Sequence, residues 1–390
     1  MKNESWLVRY SVDHPRKIAV LIVLLTLILG AFIFRIKIDT DPENMLSRNE
    51  AVRVFHDKMK HEFSLYDMVV LGVVNEEDPD GVFNPETLQK IYDLTEYARS
   101  LQWPDPDKPG REIGVVEADM ISPSTVDNIE PEGLGTVKFE WLMSRPPVSR
   151  DEARAIREKA QRIPFLNGTL VSEDGRAVCI YLPLTSKDLS YRVYSRLQEK
   201  IASLSGNERY YITGLPVAED TFGVEMFIQM AISAPLAMLV IFLLMLYFFR
   251  KITMIIAPLI VALVSVICTM GLLIGTGHTV HIMSSMIPIF IMPISVLDSI
   301  HILSEFFDLY QETKDRRQTI FRVMGDLFMP MLYTSLTSAA GFASLALTPI
   351  PPVQVFGIFV AIGVMAAWVF TIIFVPAYII IIPQQSLKNF

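Results

Sequence analysis

A chain of 390 residues that is 51% hydrophobic and only 19% charged is too apolar for a soluble protein, yet it leaves room for one substantial aqueous domain. Its net charge of -8 and the absence of any basic run longer than "RKI" or "DRRQ" exclude nucleic acid as a partner, because phosphate backbones are held by clustered lysine and arginine. The two cysteines, Cys179 in a strand-like aqueous segment and Cys268 in an apolar run, offer no disulfide framework.

In chain order, the first element is the apolar run Ile18 to Phe34, long enough for a helix crossing a hydrocarbon core of about 30 Å. Arg35 and Lys37 follow it and no small-x-small cleavage pattern appears, so it reads as a retained span rather than a secretory signal. Residues 1–35 are thus expected to form a cytoplasmic N-terminus and transmembrane helix 1.

From 36 to 226 the pattern changes to alternating strand-like and amphipathic helix-like pieces, which marks a folded domain rather than a loop. "YDMVVLGVV" predicts a strand, and "NPETLQKIYDLTEYARSLQ" a helix with Asn84 as cap and Pro85 in the first turn, where its missing N–H does no harm. "EIGVVEADMIS" predicts a second strand and "SRDEARAIREKAQRI" a second helix capped by Ser149. "RAVCIYLPLT", "YRVYSRLQEKIASL" and "RYYITGLP" complete the order as strand, helix and strand. Such alternation suits an α+β, ferredoxin-like arrangement of the split βαβ kind, with helices over one face of a small mixed sheet.

Five further apolar runs follow: Phe227 to Phe249, Thr253 to Ile274, Ile282 to Phe307, Phe328 to Leu347 and Phe356 to Ile382. Residues 227–383 therefore read as transmembrane helices 2–6, making six in all, with 384–390 as a cytoplasmic tail. Lys2, Arg9, Arg16 and Lys17 precede span 1, Arg250 and Lys251 join spans 2 and 3, and Lys314, Arg316, Arg317 and Arg322 join spans 4 and 5. The alternate loops "GTGHTVH" and "TPIPPVQ" hold no lysine or arginine. Positive charge stays inside, so both termini are expected in the cytoplasm and 36–226 outside it, in the periplasm of a Gram-negative cell. "KDRRQTIFRVMGDLF" is expected to lie along the cytoplasmic surface near anionic lipid.

The fourth span contains "PISVLDSIHILSEFF". A carboxylate in hydrocarbon costs roughly 2.5–3.5 kcal/mol on insertion scales, so Asp298 is expected to face protein or water and to have a task. Ser295, Asp298 and His301 share one helical stripe, with Glu305 beneath, while Pro288 and Pro293 are expected to bend or loosen the helix. The fifth span offers Thr334, Thr337, Ser338 and Gly341 at i, i+3, i+4, i+7, a small hydroxyl-bearing stripe suited to close helix approach. Counting inward from the cytoplasmic ends sets Asp298 level with Ser338, and His301 level with Thr334 and Ser335. The expected proton relay is Asp298, His301, Ser295, Thr334, Ser335, Thr337 and Ser338, since burial and an adjacent imidazole bring carboxylates toward exchange near neutral pH. The plainer reading is a hydrogen-bonded helix lock, and sodium on Asp298 and the hydroxyls is a variant.

Catalytic signatures are missing. "HEFSL" at His61 fails the zinc-protease pattern at Leu65, and the sequence has neither Gly-x-Ser-x-Gly nor a phosphate-binding Gly-x4-Gly-Lys loop. His278 and His281 at i, i+3 could hold a metal but read more simply as interfacial residues. No cofactor beyond the coupling ion is expected.

The segments "DHPRKI", "DTDPENML", "ITGLPVAEDTF", "VLDSIHILSEF", "TSLTSAAGFASL" and "VFGIFVAIGVMAAWVFTIIFVPA", in this order around one span, a large outer domain and five spans, resemble one half of a resistance-nodulation-division (RND) transporter. The hydrophobe/amphiphile exporter branch, which includes lipid and hopanoid transporters, is the most similar. The resemblance implies that Asp298 is the coupling acid and that 36–226 is porter-like. Two departures stand out: Ile294 occupies a position where many relatives have glycine, and the chain stops at Phe390 where the usual protein has two halves and twelve spans. The expectation is a homodimer, or else a second half-transporter chain.

The function expected is proton-driven export of hydrophobic or amphiphilic lipids from a bacterial inner membrane or the periplasm, with a periplasmic lipid-binding protein as a further partner. Glu219, Asp220, Phe222 and Met226, just before and within the start of span 2, are candidates for the substrate path, against a plain solvated junction. The alternative is a non-transporting lipid-binding sensor or accessory subunit. An enzyme is not expected.

Overall fold

The computed structural model describes residues 6–106, 108–131 and 135–383; the expected cytoplasmic tail, 384–390, lies outside the described residues. The chain divides into two units, Val54–Thr221 and the remainder.

Eleven α-helices and nine strands are described: α1 (Trp6–Asp13), α2 (Pro15–Ala31), β1 (Ile38–Asp39), α3 (Ala51–Glu62), β2 (Asp67–Val74), α4 (Pro85–Arg99), β3 (Gln102–Pro104), β4 (Glu112–Gly114), β5 (Asp127–Pro131), β6 (Val137–Trp141), α5 (Arg150–Arg162), β7 (Ala177–Leu184), α6 (Ser190–Ala202), β8 (Arg209–Thr213), α7 (Leu215–Phe249), α8 (Ile252–Gly275), β9 (Val280–His281), α9 (Ile287–Thr313), α10 (Arg316–Ala343) and α11 (Pro351–Ile381).

Within Val54–Thr221 the central sheet has the order β7-β2-β8. Alternation along β2 and β7 sends Val69, Leu71, Val73, Val178, Ile180 and Leu182 into one core, where α4 adds Leu88, Ile91 and Leu94 and α6 adds Val193 and Leu197. The expected caps form: the Asn84 side chain accepts from the Thr87 N–H at 2.9 Å, and Ser149 from the Glu152 N–H at 3.2 Å, each quenching an orphan donor of a first turn. The sheet is antiparallel throughout rather than mixed, because α6 carries the chain from β7 to β8 with β2 between them. The second expected strand is also broken. Only Glu112–Gly114 is a strand, paired with β3, and beyond it a 3-10 turn at Glu117–Asp119 leaves isolated bridges from Val115 to Leu184 and Ile121 to Tyr181. The β5–β6 hairpin had no counterpart among the expected elements.

In the other unit, five helical segments are long and apolar enough to cross a membrane: Pro15–Arg35, Leu215–Phe249, Ile252–Gly275, Ser284–Thr313 and Pro351–Ile381. The expected fifth span falls on α10, which does not reach that apolarity. Its first half carries Arg316, Arg317, Arg322 and Asp326 and its second half is rich in hydroxyls, so "KDRRQTIFRVMGDLF" is mostly the start of a continuous helix. The chain is a multi-pass membrane protein.

α11 lies at the centre of this unit and packs against α2, α8, α9 and α10. Glycine permits the closest approaches. A Cβ at Gly363 would lie 2.3 Å from Ile291 Cδ1 and 2.9 Å from Thr269 Oγ1, and one at Gly271 would lie 2.2 Å from the Leu29 carbonyl oxygen. β1 and β9 pair in parallel, Ile38 with Val280 and Asp39 with His281, and the Val280 N–H donates to the Lys37 carbonyl at 2.8 Å.

Candidate functional site

α9 runs unbroken through Pro293, and Pro288 sits in its first turn, where no intrahelical N–H is needed. The helix is therefore not interrupted at either proline that was expected to bend or loosen it. It holds Asp298 with only 6% of its surface exposed. Asp298 Oδ2 accepts a hydrogen bond of 3.1 Å from the Ser335 hydroxyl of α10. Among the described residues no lysine, arginine or histidine forms an ion pair with this carboxylate. A hydroxyl can turn to serve a carboxylate as donor or a protonated carboxyl as acceptor, so Ser335 satisfies Asp298 in either state.

Ser295, one turn before Asp298, is buried, and its hydroxyl donates to the Ile291 carbonyl at 2.7 Å. Buried Ser299 donates to the Ser295 carbonyl at 3.3 Å. His301 is exposed on α9, one turn beyond Asp298 and within electrostatic range of it. Thr334 and Thr337 are also exposed, their hydroxyls donating to the carbonyls of Pro330 and Thr334 at 3.0 and 2.9 Å. Ser338 is half-buried. The structure thus brings Asp298, Ser295 and Ser335 into one buried place and leaves His301, Thr334 and Thr337 on the outside of the single chain. The pairing also differs by about one turn from the expected level of Asp298 with Ser338. The short link at Lys314–Asp315, with Lys314 in left-handed conformation at φ 51° and Asp315 capping α10 through the Gln318 N–H at 2.9 Å, sets the register of this antiparallel pair, rather than the ends of the apolar runs.

A family model, that of the MMPL family, matches residues 148–388, more than half of the chain. The chain belongs to the MMPL family. Membership places it in the RND superfamily of membrane transporters, and the matched segment includes every residue of the MMPL helices α7 to α11. Among curated proteins none matches the sequence.

Other candidate residues of this MMPL protein lie elsewhere. Glu219 is buried and receives the Lys187 ammonium at 3.1 Å, and Asp220 accepts from the Ser190 hydroxyl; both are held inside Val54–Thr221. Phe222 is exposed and Met226 buried in the other unit. His281 stands 3.5 Å from Asp39, whose carboxylate also receives Asn44 at 2.9 Å, and His278 packs edge-on against Phe359.

Sequence reasoning did not single out Ser299, Ser265, Thr269 or Thr371, all buried in the bundle. Thr371 Oγ1 and Trp368 Nε1 of α11 are buried without hydrogen-bond partners. Ser265 and Thr269 follow an i, i+4 spacing that could have drawn notice; Thr371, alone in a long apolar run, gives no such signal. Between α7 and α9 there is also a groove of about 540 Å3 lined by Ile241, Phe248, Pro293, Leu297, Ile300 and Ser304, among others, and nearly all apolar.

Proposed function

We propose that the protein exports hydrophobic or amphiphilic lipids across or out of a bacterial inner membrane, driven by protons exchanged at Asp298. The observation that carries this reading is a membrane-buried carboxylate whose partner is the rotatable hydroxyl of a neighbouring helix, within a chain of an RND-type family. An acid kept only as a helix lock is a costly choice in hydrocarbon, where serine or asparagine would serve. In each cycle Asp298 takes a proton from the outer side, and loss of its charge loosens its hold on Ser335. α9 and α10 then shift against each other, and release of the proton to the cytoplasm restores the first arrangement.

Several finer features belong to the same reading. α10 completes six spans, with Ser335 turned toward α9. Both termini lie in the cytoplasm, following the basic residues of the short loops. The outer domain is ferredoxin-like and porter-like, a reading supported by the order β8-β2-β7 with the Val115 to Ile121 segment bridged to the far side of β7. The working unit is a homodimer: His301, Thr334 and Thr337, exposed at bilayer depth, are poor neighbours for acyl chains, and a twofold mate covers them. The apolar groove between α7 and α9 supports a hydrophobic cargo.

Transport in cells carrying Asp298→Asn tests this. Export is expected to fall at least tenfold with unchanged protein level and dimer content. Undiminished export would remove the coupling role, and export that follows a sodium gradient at fixed pH would replace the proton with sodium.

A further inference from the structure

Three of the large apolar side chains exposed on Val54–Thr221 lie together. Phe63 is 65% exposed, Leu65 52% and Phe165 70%, and all three line one depression of about 500 Å3, within the roughly 300–1,000 Å3 of small-molecule sites. A cup of this kind on an aqueous domain marks a binding surface. Its charged lining residues are Asp119 and Asp127, with no lysine, arginine or histidine among the lining. Elsewhere in this domain carboxylates are taken by bases, as in Asp80 with Arg150 and Arg154 and Glu208 with Lys90; among the described residues no base pairs with Asp119 or Asp127.

The adjoining hairpin adds an independent observation. Its charged face is fixed to α5 by Lys159 to Glu140 at 2.6 Å and by Arg162 to Glu130. The opposite face, which carries Ile129, Val137, Phe139 and Trp141, is therefore turned outward and exposed. Asp127 lies directly across from Trp141 in the ladder, and side chains paired in this way stand about 5 Å apart on one face. A carboxylate beside an aromatic face is the chemistry that holds an ammonium group, through charge and cation–π attraction.

We infer that this cup binds an amphiphile with a cationic amine head. Asp127, Asp119 and the Trp141 ring take the ammonium, and Phe63, Leu65 and Phe165 cover the apolar body. The inference rests on the exporter reading only for the fate of the bound molecule; binding itself requires no proton gradient and no Asp298.

The test uses the full-length protein in zwitterionic lipid nanodiscs with two photoreactive probes of equal chain length, a diazirine hexadecylamine and a diazirine palmitate, followed by peptide mapping. The amine is expected to label the 63–68 and 163–166 segments at least tenfold more than palmitate does. Asp119→Asn with Asp127→Asn lowers amine labelling there about tenfold and leaves palmitate unchanged. Asp119→Glu with Asp127→Glu retains most of it, which separates loss of charge from misfolding. Trp141→Ala lowers amine labelling severalfold, and Asp298→Asn leaves it intact even where export is abolished. Equal labelling of the cup by both probes, or amine labelling indifferent to the double Asn variant, overturns the inference.

Discussion

Certain acids of Val54–Thr221 and the buried Asp298 of the membrane helices are held in opposite ways. In Val54–Thr221 several are paired with bases: Asp80 lies between Arg154 and Arg150 at 3.0 and 2.9 Å, and these guanidiniums hold its carboxyl below the usual aspartate range. Lys138 and Lys159 hold Glu140 down to about 2. In the membrane helices Asp298 has Ser335, a neutral hydroxyl, as its hydrogen-bond partner. A carboxylate paired to a fixed cation stays ionised, whereas one held by a rotatable O–H is satisfied both charged and neutral. The first arrangement fixes a fold; the second leaves a group free to exchange its proton.

Breaking a fixed pair gives the largest expected effect. The Glu208 side chain is 4% exposed and bound by Lys90 at 2.7 Å, so Lys90→Met strands a shielded charge at a cost of about 3 kcal/mol. Amide exchange of β2 in the full-length protein is expected to quicken by two orders of magnitude. Next comes close packing in the bundle. Gly363→Val drives a side chain into Ile291 and Thr269, an overpacking that costs about 1–3 kcal/mol and lowers the midpoint of thermal unfolding in detergent. Ser335→Ala removes the bond to Asp298 and is expected to cost about 0.6 kcal/mol and below 2, as measured for hydrogen bonds between membrane helices; unfolding in mixed micelles changes little, while export slows by more than that energy alone implies.

The pH dependence of the outer domain gives the smallest effect. Burial pushes the Glu208 carboxyl up, but hydrogen bonds from Lys90, its own backbone and Thr87 outweigh it, and the folded-state value lies below the ordinary 4.5. Its contribution is therefore complete above that ordinary value and is lost as pH falls through the lower one. Exchange protection of β2 should decline there in the native protein and show a weaker decline in Lys90→Met.

Much of this was legible in the sequence, for reasons that differ by region. The helices of the outer domain announced themselves through Asn84 and Ser149, because a cap is a local interaction between residues three apart. β2 and β7 were legible through alternation. The interrupted second strand was not, because its pairing with β7 is settled by tertiary bridges at Leu184 and Tyr181. Nor was the hairpin, whose outward apolar face makes sense only once Lys159 and Arg162 of α5 hold its other side. In the bundle, Asp298 stood out because charge in an apolar run is costly. Its partner Ser335 was named only as one of several hydroxyls, since choosing Ser335 over Ser338 for the level of Asp298 depends on how two helices are joined, and helical period alone leaves that open. The same limit explains the stripe at Thr334 and Thr337: period places them on one face but does not say which neighbour the face meets.

The two-residue pairing of β1 with β9 has a mechanical consequence. It ties the chain leaving the first membrane helix to the root of α9, a few residues before that helix begins, with Asp39 and His281 as a side-chain clasp over the backbone stitch. Tension on the Ile38–Asp39 strand is thus passed straight to the rod that bears the buried acid, making this small stitch a tendon between them.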